Sequence, residues 1–387
     1  MNNPVTRDLI PKEVFSLGMQ NPIPVYTTYI HPSAQKLVAD TLASTYISEG
    51  KKVKEFEEAL TKKLGIVNPV ALNSGTTALH LALVLAGIKE GDEVICPAQT
   101  FVASALVIIQ QGAKPVFADI QYESGNIDPD SIRQKITERT KAIICVHWAG
   151  MPCDMDEIHA IAKENNLVVI EDAAHAPGAT YKGKFVGSIS DYTCFSFQAI
   201  KHVTSGDGGA IACLDAEKTK EAFTRRWFGI DRSNATPSVL GERQYDISLL
   251  GFKYHLNDYA ATLGLANLTD IEQRLQWLRT SAVRYRQALQ NVAGIQLWHA
   301  PTDRESAWWL FGLHVENRLN FIKALAEKGV TASVVHQRID HNSVFGGIDE
   351  SLVNQKKFNE TQVHIPLHSS MNDEEVQQVI EIIKKGW

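Results

Sequence analysis

The 387-residue chain has no apolar run near the roughly 18 residues that a membrane-spanning helix needs. Its most apolar stretches, LALVLAG (81–87) and KAIICVHWAG (141–150), are short enough to be core elements. The opening MNNPVTRDLIPKEVF lacks the apolar segment of a secretory signal. Cysteine is scarce: Cys96, Cys145, Cys153, Cys194 and Cys213 are an odd count without a CxxC pair. A disulfide framework and a structural zinc site therefore lack support, no metal is expected, and free thiols in a reduced cytoplasm fit the pattern. Basic residues are outnumbered, 38 against 44, for a net charge of −6, which argues against a surface built for nucleic acid. Repeats and low-complexity segments are missing as well. What is present is a chain with 44% hydrophobic residues, enough for a large core, and long enough for two or three domains.

After a proline-spotted arm, helical periodicity is predicted over 34–64. From about residue 68, short β-branched runs alternate with helical stretches. VALN, DEVICPA, KPVFADI, KAIICVHWAG and LVVIEDAAHA read as strands, and SGTTALHLALVLAGI and VASALVIIQQ as helices. This alternation predicts an α/β fold, a mostly parallel sheet flanked by helices. ATYKGKFVG (179–187) reads as a hairpin turning at Gly183, followed by strands at YTCFSF and GGAIACL. From about 265 the pattern changes to one long charged helix and then to mixed elements. The expected division is an N-terminal arm and helix at 1–54, a large α/β domain at 55–260 and a smaller α+β domain at 261–387.

Four features carry chemistry. Lys201 lies in SFQAIKHVTSGDGGAI between an apolar strand and a glycine-rich turn. Asp172 ends the apolar run LVVIED, and in parallel α/β sheets ligands bind outside the carboxyl ends of strands. NSGTTALHLAL (73–83) places small and hydroxyl residues at a helix N-terminus, where free N–H groups and the helix dipole suit an anion. Phe101 follows a further strand end and could stack on a flat ligand. Each has a plainer reading too: a surface lysine, a turn-capping acid, an empty N-cap, a core aromatic. The spacing of the glycines excludes both GxGxxG and GxxxxGK[ST], so a Rossmann oxidoreductase and a P-loop are not supported. Taken together the four ask for a flat phosphorylated aromatic aldehyde with a ring nitrogen, which pyridoxal 5′-phosphate satisfies.

The same residues carry a resemblance. From TYISEGKKVKEFEEAL (45–60) through NSGTTALHLAL, EDAAHAPGATYKGKFVGS, CFSFQAIKHVTSGDGG and GIDR to GFKYHLNDYAA (251–261), the chain resembles DegT-type sugar aminotransferases, fold type I pyridoxal-phosphate enzymes. FQAIKHVT and GFKYHLND are most similar to a branch that makes 4-amino-4-deoxy-arabinose. The resemblance implies that Lys201 carries the cofactor and that Asp172 pairs with its ring nitrogen. It implies that Gly75, Thr76 and Ser196 hold the phosphate, with Phe101 over one ring face and Ala174 beneath the other. His175 stands where a ring-hydroxyl contact is expected. Lys253 replaces an asparagine that in the family reaches the phosphate from a neighbouring subunit, which would require a homodimer with shared sites. Some members with histidine in place of the lysine are dehydratases; lysine is present here. A regulator that had kept the fold and lost catalysis would be expected to lack Lys201 or Asp172.

The implied reaction moves an amino group from L-glutamate to a keto or aldehyde sugar, for cell-surface polysaccharide or lipopolysaccharide. Around VVHQRIDHNSVFGG (334–347), His336 and Arg338 are candidate acceptor contacts, and Trp309 a candidate sugar platform. A basic side chain there suits a carboxylate as well as a diphosphate. The leading expectation for the acceptor is the free acidic sugar 8-oxo-3-deoxy-manno-octulosonate, giving the 8-amino sugar. The alternative is a 4-keto or 3-keto sugar linked to a nucleotide.

Overall fold

A computed structural model describes residues 22–231 and 236–387. The apolar runs of the first half become a seven-stranded sheet. Its strands are β1 (Pro69–Leu72), β2 (Glu93–Pro97), β3 (Lys114–Ala118), β4 (Thr140–Val146), β5 (Val168–Asp172), β8 (Tyr192–Ser196) and β9 (Gly209–Cys213), in the order β1-β9-β8-β5-β4-β2-β3. All run parallel except β9, which is antiparallel to both β8 and β1. The central strands are buried on both faces, which is why they read as continuous apolar runs rather than alternating ones. The hairpin predicted at 179–187 forms from β6 (Thr180–Tyr181) and β7 (Lys184–Phe185), turning through left-handed Lys182 and Gly183.

Helices cover both faces. α3 (Gly75–Leu85) and α4 (Ala103–Gln110) bury Leu79, Leu83, Val107 and Ile108 against one side. The other side is covered in part by α2 (Lys51–Leu64), through Phe56, Leu60 and Leu64, and by α6 (Met155–Asn165), through Ile158 and Ile161. A second, three-stranded antiparallel sheet, β12 (Ile295–Leu297), β14 (Phe311–Val315) and β15 (Gln362–Ile365), belongs to the last third of the chain and has its own apolar cluster around Tyr285, Phe311 and Phe321.

Two expected helices are divided. The segment 34–64 forms α1 (Ala34–Ala43) and α2, separated by a bend at left-handed Thr45. The cap of α2 comes from far away: Gly50 N and Val53 N donate to the Asp258 carboxylate at 2.8 and 3.1 Å. The long charged helix is likewise interrupted, with α8 (Asp258–Leu268) ending before Asp270 and α9 (Ile271–Leu289) following it. The boundaries expected at 55 and 260 therefore fall inside α2 and α8. Within the arm, Ile23 pairs with Val330 and packs in the C-terminal cluster. The first 21 residues of the arm, and Arg232 of GIDR, lie outside the described residues. All five cysteines are buried free thiols. Among the described residues no helix is long and apolar enough to cross a membrane.

Candidate active site

The carboxyl ends of β1, β2, β4, β5 and β8 open on one side of the sheet, around a cavity of about 360 Å³. Its floor begins with β5. Asp172 is the last residue of that strand and is 7% exposed. Its carboxylate accepts a hydrogen bond from the Ser104 hydroxyl at 2.7 Å and another from Ala174 N at 3.1 Å. Ser104 is in turn within 2.7 Å of the Thr100 hydroxyl. A polar group buried this deeply costs stability unless donors such as these satisfy it. The preceding residue, Glu171, points to the opposite face of the strand, where His147 Nε2 lies 2.6 Å away and Thr193 donates at 3.1 Å. His147 Nδ1 accepts from Cys153 N at 3.1 Å, which leaves Nε2 to donate to Glu171.

The anion cradle forms where β1 turns into α3. Ser74 caps the helix by accepting from Thr77 N at 3.1 Å. The N–H groups of Gly75 and Thr76, at the first two helical positions, have no intrahelical acceptor, and both residues line the cavity. Ser196, at the end of β8, is packed so close that a Cβ on Gly75 would lie 2.9 Å from the Ser196 Cβ. Gly209 opens β9 between the two, and a Cβ there would meet Ser74 O at 2.3 Å. The glycines thus let a strand, a helix start and a hydroxyl converge on one small space.

Lys201 reaches the cavity from the turn after β8. Burial lowers its amine to about 7, partly opposed by the charge of Asp172. Its Nζ lies 3.8 Å from the centroid of the Trp309 ring. His175 stacks on that same ring at 3.7 Å and 16°. Burial, and then Lys201 and neighbouring histidines, push His175 well below its ordinary range, and its buried Nδ1 has no hydrogen-bond partner. Phe101 lines the cavity with 53% of its surface exposed, a free aromatic face beside the strand ends. Ala174 and His336 complete the predicted residues that meet there. His336 is lowered to about 4 by burial and by Lys201, so it is neutral at pH 7.

Three predicted residues lie elsewhere. Arg338 is 4% exposed and does not line the cavity; its guanidinium forms a fork with Asp340 at 2.7 and 2.5 Å and donates to Asp349 O. The fork and the Asp349 carbonyl occupy its Nε and Nη2 within the chain. Trp309 lines a second cavity of about 30 Å³ on another side of Lys201 rather than the main one. Lys253 is exposed, with Nζ 3.7 Å from the Trp227 ring centroid, and does not line this chain's cavity. Ser104 and Thr100 were missed. Their one signal is a pair of hydroxyls four residues apart flanking the start of an otherwise apolar helix.

The residues fit pyridoxal phosphate on observations of the protein alone. An N–H cradle with no room for a side chain suits the phosphate, a hydrogen-bonded buried carboxylate suits a ring N–H, an orphaned imidazole nitrogen suits a ring hydroxyl, and a near-neutral lysine suits an aldehyde.

Comparison with known proteins agrees. The profile of the DegT/DnrJ/EryC1/StrS aminotransferase family matches residues 28–384. The chain is 36% identical to the spore coat polysaccharide biosynthesis protein SpsC of Bacillus subtilis, over 90% of this chain and 92% of that protein. It is 34% identical to the UDP-4-amino-4-deoxy-L-arabinose–oxoglutarate aminotransferase of Shewanella sediminis, over 90% and 94% respectively. Among solved structures, the PLP form of Spr1654 from Streptococcus pneumoniae superposes with a TM-score of 0.85 at 33% identity, covering 94% of this chain and 98% of that one.

Proposed function

The chain belongs to the DegT/DnrJ/EryC1/StrS aminotransferase family and depends on pyridoxal phosphate, and we propose that it transfers an amino group from L-glutamate to a keto sugar linked to a nucleotide, for cell-surface polysaccharide. The observation that carries this reading is the meeting of Lys201, Asp172 and the α3 N-terminus in one cavity. The relatives favour the nucleotide-linked acceptor, since one acts on a UDP-linked sugar and another serves spore coat polysaccharide. The free acidic octulosonate, the leading expectation from sequence, loses its support. The basic side chains expected near the acceptor, His336 and Arg338, suited a carboxylate and a diphosphate equally, and Arg338 is held by Asp340. Neutral His336 beside Phe101 suits hydroxyls of an uncharged sugar ring better than a carboxylate.

Bound pyridoxal phosphate supplies an aldehyde that takes up the amino group and a ring that draws electrons from the donor carbon. Gly75, Thr76 and Ser196 hold the phosphate. Asp172, fixed by Ser104 and Ala174, keeps a positive charge beside it stable. His175 offers its free Nδ1 to the ring hydroxyl. Lys201 Nζ, with its amine near 7, can take up and release a proton at neutral pH.

A dianionic phosphate and a dicarboxylate donor ask for more positive charge than this cavity holds, because Lys201 is the single Lys or Arg among its lining residues. Lys253 of a second copy would supply it, in a homodimer with shared sites. Mixing Lys201→Ala with Lys253→Ala protein tests that arrangement: restored activity supports shared sites, and none speaks for self-contained ones.

The function itself is tested by borohydride reduction of the yellow protein followed by peptide mapping, and by assay of glutamate with two acceptors side by side. Label on Lys201 and turnover of a UDP-linked keto sugar are expected. Label elsewhere would remove the lysine assignment, and turnover confined to a free acidic keto sugar would remove the nucleotide.

A further inference from the structure

Trp309 joins three features around Lys201. Its indole N–H donates to the carbonyl of Ile200, the residue before the lysine, at 3.0 Å. The face of its ring lies 3.8 Å from Lys201 Nζ, and His175, which lines the cavity, stacks on the same ring. The side chain is 4% exposed.

The backbone that holds Trp309 is unusual. Trp308 and Ala149 both adopt left-handed conformations, with φ of 52° and 56°, and Leu310 N donates to Ala149 O across the two segments at 3.3 Å. Between them, Gly150 has no space for a side chain, since a Cβ would stand 2.8 Å from Trp308 N and 3.0 Å from Trp309 N. His202, the residue after the lysine, is tied to the same stretch through Nε2 and Ala307 O at 2.8 Å. Arg274 donates to the His202 carbonyl at 2.6 Å. Left-handed non-glycine residues persist where the surroundings enforce them, and such strain collects at functional sites. Filling core space would require neither.

Lys201 Nζ forms no ion pair within 4 Å among the described residues. Asp172 reaches it through space, and His175, His202 and His336 around it are all held neutral by burial. The electron-rich indole face is what the amine touches.

We infer that Trp309 is a positioning residue for Lys201: its ring face holds the free amine at one station in its charged form, and its N–H fixes the chain beside it. This rests on Lys201 being the cofactor lysine. An amine held this way needs no hydrogen-bond acceptor that would compete with the donor or the sugar for its proton.

The test follows the rate at which the full-length chain, stripped of cofactor, captures pyridoxal phosphate across pH 5–9. The amine lone pair forms the new C–N bond as the carbonyl oxygen leaves as water, so the rate tracks the unprotonated fraction. Stepwise fluorination of the indole at position 309 drains the ring face and preserves its shape. It should lower the midpoint by about half to one pH unit and speed capture at pH 6, relative to its plateau, roughly three- to sixfold. Trp309→Leu should shift it the same way, and Trp309→Phe, which keeps a ring, by less. A midpoint that is unchanged or rises with fluorination overturns the inference. Capture that never labels Lys201 overturns instead the assignment of the lysine.

Discussion

Ser104 and Asp172, 68 positions apart, share a hydrogen bond of 2.7 Å at the floor of the cavity. With Ala174 N on the other oxygen, this bond fixes the carboxylate plane before any ligand arrives. A hydrogen bond to a charged acceptor contributes about 1.5–3 kcal/mol. Felt fully in the transition state, that is roughly 10- to 100-fold in rate. Ser104→Ala should therefore lower kcat/KM about tenfold or more and lower Tm by a few degrees, since the Asp172 carboxylate loses a buried donor. Steady-state kinetics within twofold of the parent would show that Asp172 holds its place without the serine.

Gly75 and Gly209 should respond differently to the same added methyl group. At Gly209 the new Cβ meets backbone, Ser74 O at 2.3 Å and Gly75 N at 2.6 Å, which cannot give without parting β9 from β1. At Gly75 it meets the Ser196 side chain at 2.9 Å, and alanine is the better helix former by up to about 1 kcal/mol. Gly209→Ala is expected to lower Tm by several degrees or prevent folding. Gly75→Ala should keep the fold and weaken pyridoxal phosphate binding about tenfold, read by spectral titration. Equal Tm losses for the two would sink this distinction.

How far the sequence revealed these features depends on how local their causes are. Strand runs buried on both faces, the Gly183 turn and the Ser74 cap lie in contiguous residues, and each was legible. The bend before α2 was not, because its cap, Asp258, comes from another helix. Nor was the break at Asp270, whose side chain is shared between Tyr29 and Arg274. In the site, Asp172 and Lys201 stood out because a charge at the end of an apolar strand needs a reason. Ser104 did not, since a serine in an apolar helix gives no sign of which strand end it faces. The pairing of Arg338 was not legible because the short 3-10 turn at Ile339–His341, rather than the residue types, decides that Arg338 and Asp340 meet.

The Arg338–Asp340 pair makes the role of Arg338 testable. Their side chains are 5% and 0% exposed. Removing one partner of a buried ion pair costs about 3–5 kcal/mol, because the other charge is left without compensation. Arg338→Ala should thus lower Tm markedly while KM for the sugar acceptor stays within about twofold. A large rise in KM at unchanged Tm would return Arg338 to the acceptor site.

Buried histidines give the fold a steep dependence on mild acid. Burial lowers His202 and His364 to about 3, and His314, His336 and His368 to about 4. In the unfolded chain each titrates near 6.5. Above that pH both states are neutral at these positions and no stability is lost. Below it the unfolded chain takes up protons that the folded chain refuses, so stability falls from about pH 6.5 to about pH 4. Each proton is worth about 1.4 kcal/mol per pH unit, so these five give a slope of about 7 kcal/mol per unit at most. A domain margin of about 5–15 kcal/mol would be largely consumed within two units. The urea midpoint should drop sharply between pH 6.5 and 5, and calorimetry in buffers of different ionisation enthalpy should detect several protons taken up on unfolding. A midpoint flat down to pH 5 would mean that these rings already carry charge in the fold, and His336 would then be a cation able to meet a phosphate or carboxylate of the acceptor.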